Sequence, residues 1–308
     1  MTELYEKSVI TLELPAVLQL LSNEAVSPPA KEKLLSLRPS DSEYEVKNRL
    51  GETSAAKEMM VLKGSPSFGA LKDVRSALTR AEIGGMLNTH ELLDIAGVLQ
   101  TARVVRAYAG GEKTGRSDID FLFSSLMANK YLEEKITGCI TSEDEIADGA
   151  SSELSTIRRH MRAASARVRE ALQKIISSPT YAKALQEPII TTRSDRYVVP
   201  VKAEYKGSIT GLVHDISSSG ATLFVEPMAA VKANNELREL KAKEKQEIER
   251  ILMELSAECG NHGDDIIQDF NVLVRLDCIF AKARLSYKQS AMEPSISSSI
   301  ILKKARHP

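Results

Sequence analysis

Residues 191–235 read TTRSDRYVVPVKAEYKGSITGLVHDISSSGATLFVEPMAAVKANN. This stretch decides the fold. It is a run of strands and turns set between two long, charged segments with heptad patterning. Period-two alternation puts Val199, Val201, Ala203 and Tyr205 on one strand face, with Pro200, Lys202, Glu204 and Lys206 on the other. Pro200 implies an edge position or a bulge. Lys206-Gly207 and Ser217 to Gly220 read as turns. The expected β module is 187–227, inserted so that the chain returns to where it left. A small β module at the tip of a helical arm suits gripping something elongated, and is a poor enclosure for a small substrate.

The ascending arm is expected within 141–186. Leu154, Met161, Val168 and Ile175 recur every seven residues, and Ile157, Ala164 and Ala171 fill the alternate seam. At 1.5 Å per residue such an arm is about 40 Å long. Ser177-Ser178-Pro179 ends it. The descending arm and return occupy 228–308, with Leu237, Leu240, Ile248, Ile251, Leu252 and Leu255 as the apolar seam. The seam thins from Lys241 to Gln246, which predicts a solvated or weakly paired stretch. Gly260 to Gly263 is a break. A last helix from Asp265 to about Ser286 carries Ile266, Phe270, Leu273, Leu276 and Phe280. The Ser-rich tail ends in ILKKARHP with no closing structure, as if cut in mid-domain.

Residues 1–140 read as a helical core. Pro15 suits a first helical position. Ser40 and Asp41 are candidate caps for a helix through Met60, ended by Gly64-Ser65-Pro66. Asn88 and Thr89 cap a helix to about Tyr108, stopped by Gly110-Gly111. The loop GGEKTGRSD at 110–118 reads as a flexible connector, followed by a helical stretch from about Asp118 to Ile136. The fold class is therefore mainly α with a small inserted β module.

Bulk composition narrows the function classes. A net charge of −1 over 308 residues carries no global nucleic-acid signature, so any such binding is a local patch. Trp is absent and aromatics are 5%, which argues against stacking platforms as the main binding mode. Three cysteines, far apart and odd in number, fit a reducing cytoplasm. The first residues lack the positive charge of a signal peptide, and no stretch approaches the roughly 20 apolar residues of a membrane span. The expected setting is cytoplasmic, with no membrane partner.

Motifs for chemistry are few. There is no GxxxxGK[ST], GxGxxG or HExxH, hence no phosphate cradle and no catalytic residue to name. His214, Asp215, Ser217 and Ser219 tempt a hydrolase reading, an enzyme centred on His214 and Asp215. Neighbours on a strand point to opposite faces, however, and the serines fit turn hydrogen bonding. Cys259 and His262 have CxxH spacing without the second pair that zinc needs. The one basic region combines Arg158, Arg159 and Arg162 on the first arm with Arg193, Arg196, Lys202 and Lys206 in the β module. It reads either as a phosphate-contacting surface or as a solvated helix face. Arg196 has a competing reading as an internal salt-bridge partner of Glu226 or Asp215.

One ordered set of residues resembles a known family: Arg196, Pro200, Val201 and Lys202; Gly211, Val213, His214, Asp215, Ser217, Ser219, Gly220, Thr222, Glu226 and Pro227; Asn234, Asn235 and Leu237. It is similar to the bacterial MutS-like family of the second type, the branch bearing a C-terminal Smr domain. GETSAAKEMM, LNTHELLDIAGVLQTAR, LVRLDCIFAKARLS and the final ARHP are similar too, so the resemblance covers essentially the whole chain. It implies core, lever and clamp segments, with the ATPase and Smr nuclease domains lying after Pro308. No cofactor is then expected in this chain, while the parent would use ATP and Mg. The parent would be a homodimer that grips branched DNA, ribosomal RNA or a ribosome. The implied roles are rescue of stalled, collided ribosomes by ATP-driven subunit splitting, and suppression of recombination by binding and cutting branched DNA. No mismatch-reading domain is expected. The alternative is a coiled-coil adaptor that binds only protein.

Overall fold

The computed structural model describes residues 3–69, 71–110, 117–303 and 305–308. Residues 111–116 of the expected GGEKTGRSD connector lie outside the described residues. The described chain is mainly helical with two small antiparallel sheets. It divides into two units, residues 1–145 with 253–308, and residues 146–252.

The first unit begins with α1 (Glu3–Thr11), α2 (Leu14–Asn23), α3 (Pro28–Leu35), α4 (Glu43–Lys63) and α5 (Arg75–Glu82). It continues with α6 (Thr89–Tyr108), α7 (Asp120–Ser124) and α8 (Lys130–Cys139). Local chemistry sets the boundaries. Pro15 lies in the first turn of α2. Asn88 and Glu91 close a reciprocal capping box at the start of α6. The cap of α4 is Ser42, whose hydroxyl accepts from Glu45 N at 3.3 Å, rather than Ser40 or Asp41. Ser40 instead bonds the Glu45 side chain.

The helical stretch expected from about Asp118 to Ile136 is broken into α7 and α8. Asn129 caps the second piece by accepting from Leu132 N at 3.1 Å. The amide of Met127, in the gap, donates to the buried Asp269 at 2.7 Å. A short hairpin, β1 (Ile140–Ser142) and β2 (Glu145–Ile146), follows where the ascending arm was expected to begin.

The second unit opens with a single 3₁₀ turn at Asp148–Ala150 and then α9 (Ser152–Ile176). Next come β3 (Thr191–Arg193) and β4 (Arg196–Lys202), a 3₁₀ turn at Ala203–Tyr205, β5 (Gly211–Ile216) and β6 (Thr222–Pro227). Helix α10 (Met228–Asn261) starts in this unit and ends in the first, where α11 (Gly263–Lys288) follows. Helix α11 is the centre of the first unit's core. Its Phe280 is fully buried, with ring centroids 6.0 Å from Phe68, 6.0 Å from Tyr108 and 6.4 Å from Phe123.

Within the second unit α9 and α10 are antiparallel. Ser151 bonds Glu247 at 2.6 Å, Arg158 pairs with Glu244 at 2.7 Å, and Arg167 pairs with Glu236 at 2.7 Å, so partner numbers fall as α9 rises. Ile157 and Ala164 pack with Leu237 and Leu240. Where the seam thins, at Lys241 to Gln246, the Arg158–Glu244 ion pair joins the helices instead. The seam also drifts: past Val168 the buried residue is Leu172, not Ala171. A straight helix turns every 3.6 residues, so a seven-residue pattern rotates away. Val168 and Leu172 pack against the sheet, with Val199, Val201, Leu223 and Val225.

The sheet order is β3-β4-β6-β5. Ser194 and Asp195, with φ of 48° and 61°, form the two-residue loop between β3 and β4, as a type I′ hairpin requires. Strand alternation stops at Lys202, because Ala203–Tyr205 turn as a 3₁₀ helix. Pro200 lies inside the strand order yet beyond the end of β3. Its carbonyl accepts from Gln186 N at 3.0 Å, and Lys202 N donates to Ala184 O at 2.9 Å. The side on which Pro200 lacks an N–H therefore faces the irregular 184–186 segment, and no ladder bond to β6 is lost.

Candidate nucleic-acid interface

The seven cations singled out in the sequence separate into bound and free. Arg158 is consumed: its guanidinium bonds Glu244 at 2.7 Å, Asp148 at 2.7 Å and the Ile146 carbonyl at 2.7 Å. Burial alone would push its pKa down, but the two carboxylates raise it on balance. Arg162 pairs with the other oxygen of Asp148 at 3.0 Å but stays exposed. Arg159 is exposed, with no side-chain partner among the described residues.

Arg196 takes the internal role. Its Nη1 donates to both carboxyl oxygens of Glu226, at 2.8 and 2.9 Å, and its Nη2 to Asn235 Oδ1 at 2.6 Å. Glu226 is fully buried. It also meets His214 Nε2 at 2.5 Å and accepts from Asn234 Nδ2 at 2.7 Å. Asn234 additionally bridges the Tyr197 backbone, donating to its carbonyl at 3.0 Å and accepting from its amide at 3.2 Å. One carboxyl group thus ties β4, β5, β6 and the first turns of α10 together. A buried charge demands this number of partners. Gly211 belongs to the same knot, since a Cβ there would lie 2.2 Å from the Glu226 carbonyl oxygen.

His214 and Asp215 do not act together. A bulge between Val213 and Asp215 leaves His214 as the extra residue facing Glu226, while Asp215 pairs with Arg193 at 3.2 Å. Ser217 closes the following turn, accepting from Thr222 N at 3.0 Å. Arg193 is held by Asp215, by the Thr192 carbonyl at 2.8 Å, and over the Phe224 ring at 4.0 Å.

Lys202 is half-buried and Lys206 exposed, and neither has a side-chain partner among the described residues. Sequence reading missed Lys183. The backbone bond from Lys202 N to Ala184 O brings the segment carrying Lys183 beside Lys202. Lys183 is exposed and equally unpaired among the described residues. Its sequence signal is weak, a lone lysine in the irregular stretch after Pro179. Residues 146–252 hold seventeen Lys and Arg against thirteen Asp and Glu, a surplus of four positive charges on a chain whose total is −1. Of the cations named here, the ammonium groups of Lys183, Lys202 and Lys206 and the guanidinium of Arg159 remain without side-chain partners among the described residues, and such groups suit phosphates, which carry no sequence information. Among the described residues no group of three or more His, Cys, Asp or Glu could hold a metal ion, and no helix is long and apolar enough to cross a membrane.

No family model matches the chain. Curated relatives do, among them three that each bear the name Endonuclease MutS2. The protein from Ruminiclostridium cellulolyticum is 43% identical over 307 residues, that from Acetivibrio thermocellus 44% over 309, and that from Lachnospira eligens 42% over 305. Each alignment covers 98% of this chain. The chain spans only about two fifths of the relatives' length, 39%, 39% and 38% respectively.

Proposed function

The chain belongs to the MutS2 family over the 98% of it that these relatives match, and we propose that its 146–252 unit is the clamp and lever with which such a protein grips nucleic acid. The unit carries the positive surplus of the chain. Lys183, Lys202, Lys206 and Arg159 are among its unpaired cations, with Lys232, Arg238 and Lys243 of α10, among the described residues. That observation carries the reading. Ammonium groups without internal partners are free to neutralise phosphates and release counterions. Arg158 and Arg196 build the clamp and do not grip.

The chemistry of the whole protein lies in the part of the relatives that this chain does not span. There, ATP with Mg would drive closure of a homodimer, and α9 with α10 would carry that motion to the β module. The gripped target is a phosphate-rich surface read without base contacts, either a ribosome and its RNA or branched DNA. Rescue of stalled, collided ribosomes by subunit splitting, and suppression of recombination at branched DNA, both draw on this grip. The setting is cytoplasmic.

The test is a salt titration of binding to duplex DNA, branched DNA and ribosomes. The wild type is compared with the triple reversal of Lys183, Lys202 and Lys206 to Glu. Each phosphate contact on duplex DNA contributes a slope of about −0.9 in log K against log salt, so the triple variant should flatten the slope by roughly 2 to 3. Its affinity should fall alike for all DNA sequences. A folded triple variant that binds as the wild type does would reject this surface. Absence of salt-sensitive binding to all three targets would leave the protein-only adaptor.

A further inference from the structure

The first unit contains a cavity of about 370 Å³ between α3, α4 and α11. Four cations line it: Lys33, Arg49, Arg275 and Lys282. Two of them are matched, Arg49 by Glu45 and Arg275 by Glu52. The ammonium groups of Lys33 and Lys282 have no ion pair or hydrogen bond among the described residues. The remaining wall is largely apolar, with Leu34, Leu37 and Ile279. A cavity with an apolar floor and a few convergent charges, in the range of about 300–1,000 Å³, has the character of a small-molecule site.

The two lysines differ. Lys33 is exposed at the rim, and Lys282 is partly buried on α11. Burial, and then the charge of Arg49, pushes the Lys282 ammonium below its ordinary range, with Glu52 offsetting only part. The protein thus holds a positive charge where its surroundings disfavour it, beside open volume. An anion seated there would relieve both burdens at once. The lining carries four positive groups against two carboxylates. Its surplus of two suits a phosphomonoester, whose charge at neutral pH is about −1.5 to −2.

We propose that this cavity binds a small phosphomonoester with an apolar or aromatic body, its phosphate between Lys33 and Lys282 and its body against Leu34, Leu37 and Ile279. The site is independent of the nucleic-acid surface, since all of its residues lie in the first unit.

The probe is phenyl phosphate, titrated calorimetrically into the full chain, with phenol and inorganic phosphate as controls. Phenyl phosphate should bind at least tenfold tighter than either control. Lys282→Met should raise the melting temperature of the ligand-free protein and weaken phenyl phosphate at least tenfold. Lys33→Met, at the exposed rim, should weaken it severalfold without changing the melting temperature. Equal affinity for phenyl phosphate and inorganic phosphate would overturn the proposal, as would absence of binding at millimolar concentration. Unchanged affinity in both variants would overturn it too.

Discussion

Glu226→Gln isolates the charge that organises the β module. The side chain keeps its size, and its remaining oxygen can still accept a hydrogen bond. What it loses is the negative charge facing Arg196 at 2.8 and 2.9 Å, and one acceptor among the four contacts made by Arg196, His214 and Asn234. The carboxyl group is fully buried and the Arg196 side chain is only 13% exposed, so water cannot replace the lost partner. Breaking a buried pair from one side costs about 3–5 kcal/mol. The chain has two units, so a single global unfolding energy is not the right observable. Amide hydrogen exchange in β4, β5 and β6 reads the local opening directly. At about 1.4 kcal/mol per tenfold, those amides should exchange roughly one hundred- to several thousand-fold faster in the variant, while α11 stays protected. Adding Arg196→Met to Glu226→Gln should restore part of the protection, because the stranded cation is then gone. An acceleration below about fivefold, near 1 kcal/mol, would refute the buried-charge reasoning. So would strict additivity of the two substitutions.

Gly211→Ala places a methyl group 2.2 Å from the Glu226 carbonyl oxygen and 2.8 Å from a Val225 methyl. It should cost about 1–3 kcal/mol of local stability, seen as faster exchange in β5 and β6 before any other element. Asp269→Asn tests the one buried side-chain oxygen without a partner among the described residues, Asp269 Oδ2. Burial, against the bond from the Met127 amide, pushes this carboxyl up to about 6. A raised acid pKa means that the folded state binds more protons between about pH 4 and pH 6, so stability falls as pH rises through that window. The neutral amide escapes that loss. Amide exchange in α11, compared at each pH, should find the variant and wild type alike near pH 4, and the variant better protected by an amount on the order of 3 kcal/mol, or about 10²-fold, at pH 7. A constant difference across this range would contradict the assignment.

Much of the architecture was legible as local pattern. The heptads of 154–175 located α9, and Asn88 with Glu91 located the start of α6. Turn residues at 217–220 located the end of β5. Such features depend on neighbours a few residues away, which a sequence displays directly. The break at 125–129 was not legible. It is held by Met127 donating to Asp269, 142 positions later. The drift of the α9 seam from Ala171 to Leu172 follows the 3.6-residue turn of a straight helix, at the point where its partner changes from a helix to a sheet. The fate of each arginine was likewise open. In the sequence, Arg158, Arg159 and Arg162 are one basic run. In the structure Asp148 and Glu244 hold Arg158 and leave Arg159 free. Residue type and period determined most of the helices and strands, and that residues 146–252 carry excess positive charge. Only tertiary structure decided which charges face each other, because ion pairing depends on distances of about 3 Å between residues that the chain separates by tens of positions.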